Sequence, residues 1–396
     1  MKLTNSDGHS FSIDIKSGRL THKTFTELCF DDKGIIAAHS SGPAIDMQGR
    51  TVIPGLTDSH VHFIQTGFLY NGGDMSDVQS EDELLQRIAE SIAGRTYFQC
   101  WGYDPKSSLP TRTKLDIISR EIPIFVRRRD GHSSALNTAA INLVADNLTP
   151  FDGQYNLDRG FLRSDAHMEA EHIFLNMATP EDLAIARKAV EQRVIPKGVT
   201  SVHALVHRKD WVARLEESTG FLELPVFLES WEVEEAIELG LPRIGGCLLL
   251  DGSFGSHTAA LMEPYLDKKS CGCLYQENED LLDFVTKANH AGLQTAFHAI
   301  GDGAVDQLVR IHRELAGKYP YPIKRHRIEH AEIVPNMHFE TIRKLGIILS
   351  VQPVFEYLWG GEKGLYNDRL GLRHRITNRY RTLRENGIIL TGGSDS

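Results

Sequence analysis

TVIPGLTDSHVHF, residues 51–63, is an apolar run that closes on His60-Val61-His62. In a strand, alternate side chains point to the same face. Both imidazoles therefore project together from the C-terminal end of the run. Two histidines so placed suit a divalent metal, although an isolated HxH also fits two unrelated histidines on a polar turn. Strand-like runs recur down the chain: PIFVRRR (123–129), TSVHALV (200–206), LPVFLES (224–230), CLLLDG (247–252), LQTAFHAI (293–300), HRIEHAEI (326–333), GIILSVQPVF (346–355) and GIILTGGSD (387–395). Helical patterns lie between many of them. Thr179 as N-cap, Pro180 at the first helical position, then Glu181 and Asp182 predict a helix over 179–195. Amphipathic spacing predicts two more over 278–291 and 303–317. Strand then helix, repeated this often, argues for a parallel sheet closed into a TIM-like (β/α)8 barrel.

Residues 1–54 read differently. FSIDIKSG, GIIAAHSS and DMQGRTVIPG are short β-prone runs bounded by Gly, Asp and Ser, which predict a small, incomplete β-sandwich unit. Residues 55–396 then form the barrel. The stretch 64–195 is too long for one barrel connection and is expected to hold an inserted subdomain.

Composition narrows the function. The 396 residues carry 43 basic and 53 acidic side chains, a net charge of −10, which argues against non-specific nucleic-acid binding. A hydrophobic fraction of 41% suffices for a sizeable core. Five cysteines, scattered over the chain, are not a disulfide framework. The N-terminus MKLTNSDGHS has no apolar run, and no stretch of about 18 apolar residues predicts a membrane span. The expectation is a cytoplasmic protein acting on a small molecule.

Further polar residues close other β-prone runs, where barrel active sites gather. His298 ends QTAFH, His330 ends RHRIEH, and Asp395 ends IILTGGSD. Four imidazoles and a carboxylate at strand ends could bind one or two metals.

The string Val52-Ile53-Pro54-Gly55-Leu56-Thr57-Asp58-Ser59-His60-Val61-His62 closely resembles the opening signature of the amidohydrolase superfamily. The chain resembles in particular its large-insertion branch, which includes N-substituted formamide deformylase. Matching stretches are Trp101-Gly102-Tyr103-Asp104; Asp130-Gly131-His132-Ser133 followed by Asn137; Asp251-Gly252-Ser253 with Gly255-Ser256; His298-Ala299-Ile300-Gly301-Asp302; Glu329-His330-Ala331; Gln352-Pro353; and Gly393-Ser394-Asp395. The resemblance implies that His60 and His62 bind the more buried metal. It implies that His298 and His330 bind a second ion or support a single-metal site, and that Asp395 ligates metal and serves as catalytic base. The divalent ion is expected to be Zn, with Fe, Mn or Co as alternatives.

Two departures stand out. Members of the branch often place a lysine four residues before the Asp-Gly pair, where its carboxylated form bridges two metals. Here that position is Cys247, either a thiolate ligand or a buried structural cysteine. Members also continue beyond the base, whereas this chain stops at Ser396. The reading is a truncated chain, or a barrel whose last strand is covered by a homodimer partner.

Substrate-binding candidates are His132 in the Asp-Gly-His stretch, His203 closing TSVH, Asp251 closing CLLLD, and His257, where the branch often has arginine. Cys271-Gly272-Cys273 reads as an ordinary loop, and Arg127-Arg128-Arg129 as a solvated or salt-bridged strand edge. The function these readings imply is hydrolysis of a C–N bond in an amide, formamide or cyclic amide. Deamination of an N-heterocycle uses the same fold and the same attack on a trigonal carbon. A catalytically impaired metal- or ligand-binding protein is the alternative that Cys247 and the abrupt C-terminus suggest.

Overall fold

The computed structural model describes residues 2–4, 7–13, 20–25, 27–30, 36–37, 42–104, 109–129, 133–217, 221–320 and 325–396. Eight parallel strands follow one another in a single sheet: β1 (Leu56–Val61), β2 (Val199–Val206), β3 (Val226–Leu228), β4 (Arg243–Leu249), β5 (Gln294–Ala299), β6 (Arg327–His330), β7 (Ile348–Val351) and β8 (Ile389–Gly392). Helices α1 (Lys209–Glu217), α2 (Val233–Glu238), α3 (Asn278–His290), α4 (Asp302–Lys318), α5 (Phe339–Leu345) and α6 (Tyr380–Glu385) lie between them in the chain. The sheet is a nearly closed (β/α)8 barrel. Its seam is joined just past the end of β8, where the Asp395 N–H donates to the His60 carbonyl at 2.9 Å. The Ser394 N–H also donates to the Asp58 carboxylate at 2.9 Å.

Local sequence explains the elements. In α4 the buried residues Ala304, Val305, Leu308, Val309, His312 and Leu315 recur at helical spacing, with Asp302 in the first turn and Lys318 in the last. Those charges oppose the helix dipole. Pro54 and Gly55 delay β1, which begins at Leu56 rather than at Thr51. The Pro180–Val194 helix has a full capping box: the Asp182 N–H donates to Thr179 Oγ1 at 3.2 Å, and the Thr179 N–H donates to Asp182 Oδ2 at 2.9 Å.

Strand β4 carries an irregularity that matters for chemistry. Gly245 pairs with Ala296, but the next pair is Leu248 with Phe297, so Gly246 and Cys247 are extra on the β4 side. Gly245 and Gly246 have φ of 94° and 108°. A Cβ on Gly245 would lie 2.1 Å from the Ala296 carbonyl oxygen. Only glycine permits this bulge, which turns Cys247 out of the pleat.

The described N-terminal strands form two small sheets. One orders Ile36–Ala37, Leu28–Phe30, Lys2–Thr4 and Ala44–Asp46; the other orders Leu20–Phe25, Asp7–Ile13 and Thr51–Val52. Residues His62–Lys197 make most of a second compact unit. It contains a five-stranded mixed sheet in the order Tyr155–Asn156, Phe161–Arg163, Ser133–Leu136, Ile124–Arg128 and Phe98–Tyr103. One core of this unit is built on Leu84, Phe98, Leu115 and Ile124, and another on Phe125, Leu136 and Phe174. No helix among the described residues is long and apolar enough to cross a membrane.

Candidate metal centre

Four imidazole, thiol and carboxylate groups converge with His60 at the C-terminal ends of the barrel strands. The ligand atoms of Cys247, His298 and His330 lie within 4.8 Å of one another, and so do those of His60, His330 and Asp395. The two triads share His330. Cys247 Sγ stands 3.8 Å from His298 Nδ1 and 3.9 Å from His330 Nε2. His60 Nε2 stands 3.1 Å from Asp395 Oδ1. His330 is the residue that joins the groups: its ring centroid is 4.4 Å from that of His298 and 4.9 Å from that of His60.

Backbone conformation makes this convergence possible. Strict alternation along β6 would put His330 on the face opposite Glu329. His330 and Ala331 instead have φ of 68° and 49°, and Asp395 has φ of 59°. These left-handed non-glycine residues cost of order 1–3 kcal/mol each and persist only where the surroundings hold them. Here they turn side chains toward a common centre.

Each buried ring is fixed through its outer nitrogen. His60 Nδ1 donates to Glu329 Oε2 at 2.6 Å, His330 Nδ1 donates to Gln352 Oε1 at 2.8 Å, and His298 Nε2 donates to the Gly252 carbonyl at 3.2 Å. These bonds leave the lone pair of the other nitrogen facing inward, the arrangement that metal-binding histidines use. Glu329 is itself clamped. Arg327 Nε meets Oε1 at 2.7 Å and Arg327 Nη2 meets Oε2 at 2.8 Å. Arg327 Nη2 also donates to the Ser59 carbonyl at 2.6 Å and to Ser350 Oγ at 3.0 Å. Arg327 is 2% exposed and Glu329 is 0% exposed, so this is a fully desolvated ion pair.

The electrostatics favour a cation at the centre. Burial opposes the imidazolium of His60, yet the Asp395 carboxylate, with Cys247 and Glu329, holds it well above its ordinary value. Burial likewise opposes that of His298, but Cys247 and Asp251 push it up to about 9. Burial would raise Glu329, but Arg327 and His60 hold it below the usual carboxylate range. The anionic groups outweigh desolvation, so they draw positive charge onto the rings. A divalent ion meets the same demand, and the donor set of imidazole nitrogens, a thiol and a carboxylate suits one.

His62 lies just beyond β1, where it opens the second unit as the N-cap residue of the Phe63–Phe68 helix. His132 lies outside the described residues. The Asp251 carboxylate is fully buried and accepts from the Ala260, Ile300 and Gly301 N–H groups at 2.8, 2.9 and 2.8 Å. It lies 3.6 Å behind His298 Nε2, so it fixes the loop that carries the ring. His257, with φ of 60°, pairs with Asp267 at 3.0 Å. His203 is not brought to the cluster; its Nδ1 accepts from Arg327 Nη1 at 2.7 Å. Arg327, Glu329 and Gln352 were given no role by sequence reasoning. The available signal was an Arg and a Glu two residues apart, hence on one face, inside a β-prone run.

Residues 44–396 match the sequence profile described as "Amidohydrolase family". N-substituted formamide deformylase of Arthrobacter pascens is 24% identical over 366 residues, covering 82% of this chain and 67% of that protein. Protein LONG AFTER FAR-RED 3 of Arabidopsis thaliana is 26% identical over 395 residues, covering 89% and 67%. The crystal structure of an uncharacterized metal-dependent hydrolase from Pyrococcus furiosus superposes with a TM-score of 0.83 at 27% identity, over 100% of this chain and 85% of that one.

Proposed function

The chain belongs to the amidohydrolase family, hydrolases of carbon–nitrogen bonds, and from that premise we propose that its barrel mouth hydrolyses a small amide, formamide or cyclic amide with the help of a divalent metal. The observation that carries this reading is the pair of triads sharing His330, each ring pinned from behind so that a nitrogen lone pair faces inward. His60, His298, His330, Asp395 and Cys247 would hold the ion or ions. His62 joins them on the HxH spacing. Sulfur among the donors favours zinc, which accepts thiolate readily.

When bound, the metal lowers the pKa of water towards neutrality and polarises the scissile carbonyl. The protein's own groups do the rest. Asp395, 21% exposed at its side chain and therefore reachable from the mouth, accepts the proton of the attacking water. It then delivers that proton to the departing nitrogen, which would otherwise leave as a poor anion. Glu329 and Gln352 act by orienting His60 and His330. The substrate class rests on the name of the Arthrobacter relative and on that of the family.

The test is metal content by elemental analysis, paired with turnover of a panel of N-substituted formamides and cyclic amides. At least one bound equivalent and release of formate or a ring-opened acid are expected. A chain that retains no zinc or manganese at neutral pH after reconstitution would overturn the proposal.

A further inference from the structure

At the opposite end of the barrel, the N-terminal ends of the strands surround a cavity of about 460 Å³. Its polar lining includes His203, Arg243, Gln294, Arg325, Arg327 and Thr391. Arg243, Gln294 and Arg327 are the first residues of β4, β5 and β6. Strand register therefore places these side chains around one opening. Arg243 and Arg327 flank the same ring, with guanidinium carbons 5.5 and 4.6 Å from the Phe227 centroid.

Among the described residues, ion pairs do not balance the positive charge here. Arg327 is neutralised by Glu329, but Arg243 and Arg325 have no ion pair among the described residues. Glu223 acts on Arg243 with opposite sign, but the two form no ion pair. Burial and the repulsion of Arg327 push the Arg243 guanidinium down from its usual value. Burial, then Arg327 and Arg243, push His203 down to about 4, so the imidazole stays neutral and accepts from Arg327. A half-buried cation without a counter-ion is costly, and a bound anion removes that cost.

We propose that this cavity is a phosphate-binding site that takes the phosphoryl group of a small phosphate ester between Arg243 and Arg325. Two guanidinium groups without an ion pair among the described residues match a phosphoryl group, which carries close to two negative charges near neutral pH; a carboxylate supplies one. The planar fork of arginine also matches phosphate oxygens bidentately. The Thr391 hydroxyl can add a neutral hydrogen bond, and the cavity leaves room for the organic part of the ester. The site is separate from the metal centre and does not depend on the function proposed for it.

Isothermal titration of the metal-loaded protein with inorganic phosphate, at ionic strength fixed with chloride, tests this. Saturable binding with a Kd below about 1 mM is expected. Arg243→Gln and Arg325→Gln should each weaken it by at least about tenfold, the loss of one charge-assisted hydrogen-bonded partner. Metal content should stay at the parent level in both variants. Equal affinity in parent and variants would place the phosphate at the metal centre and overturn the proposal, as would no binding up to about 10 mM. Arg325 lies exposed at the rim, so its variant carries the test even if Arg243→Gln does not fold.

Discussion

Replacing Glu329 by Gln tests the buried network behind His60 directly. The substitution keeps size and shape but removes the negative charge that faces Arg327 at 2.7 and 2.8 Å. Arg327 is 2% exposed, so water compensates little of its charge. It would keep only the Ser59 carbonyl, Ser350 Oγ and His203 Nδ1 as neutral acceptors. Breaking a buried pair from one side costs about 3–5 kcal/mol. The retained amide oxygen and these acceptors place Glu329→Gln near the lower end, about 3 kcal/mol. For a unit the size of this barrel, each kcal/mol lowers Tm by roughly 2–4 °C, which gives a fall of about 6–12 °C. Calorimetry of the metal-free protein is the assay, because bound metal would add its own stabilisation. The double variant Arg327→Met/Glu329→Gln removes the stranded charge and should recover much of the loss. Metal affinity of Glu329→Gln should also fall by about 10–100-fold, since the carboxylate that orients His60 becomes a neutral amide. A Tm within about 2 °C of the parent, or a double variant worse than the single one, would refute the reasoning.

Four other outcomes follow from the same geometry. Asp395→Asn should lower kcat by about 10²–10⁴-fold with the barrel intact by circular dichroism, and near-parental turnover would remove Asp395 from the proton-transfer role. In cobalt-loaded protein, a thiolate-to-metal charge-transfer band should be present and should vanish in Cys247→Ala; a parent spectrum without it would make Cys247 structural. Gly393→Ala puts a methyl 2.6 Å from His60 Cβ, so it should cost about 1–3 kcal/mol and weaken metal binding together, both measurable by chelator competition and thermal melting. Burial and the neighbouring His326 hold His312 well below its ordinary value. The unfolded chain takes up that proton near pH 6.5 while the folded one resists it, so this stability is present above about pH 6.5 and is lost as pH falls through the folded pKa. Tm of His312→Leu should therefore decline less than that of the parent between about pH 7.5 and 5.5.

The parts of the molecule that obey a simple period were legible. The alternating and apolar runs that became β2, β6, β7 and β8 mark the strands of the barrel, and helix starts such as Thr179-Pro180 sit where local hydrogen bonding demands them. His60, His298, His330 and Asp395, which the structure brings together, are singled out in the sequence because each closes such a run. How two of the candidates reach the centre depends on departures from the period. Cys247 approaches the two rings through a two-residue bulge set by Gly245 and Gly246, and His330 turns inward through a left-handed backbone. Neither can be read from spacing. Asp251 closes a run in the same way as the histidines, yet three backbone N–H groups occupy its carboxylate. A strand-end acid looks the same in sequence whether it faces solvent or a loop. His203 also lies on a strand of the barrel, but its ring packs with Arg327 beside the other opening. Which opening a mid-strand residue serves depends on the depth of the residue in the barrel, and depth is a property of register.

The seam has a consequence for how this centre comes into being. The hydrogen bond between Ser394 and Asp58 joins residues 336 positions apart, and Asp395 meets His60 across the same join. Most of the chain must be synthesised before the two edges of the barrel can touch. Contacts this distant in sequence carry the largest loop-closure entropy and form late. His298, His330 and Cys247 can gather earlier, on strands that neighbour one another. Assembly is therefore ordered in time: a partial cradle of sulfur and two imidazoles precedes the complete one, and the Asp395 carboxylate arrives last. Until the edges meet, β1 and β8 present unpaired backbone groups to solvent, so the same join that completes the cluster also ends the interval in which the nascent sheet is most exposed to pairing with another chain.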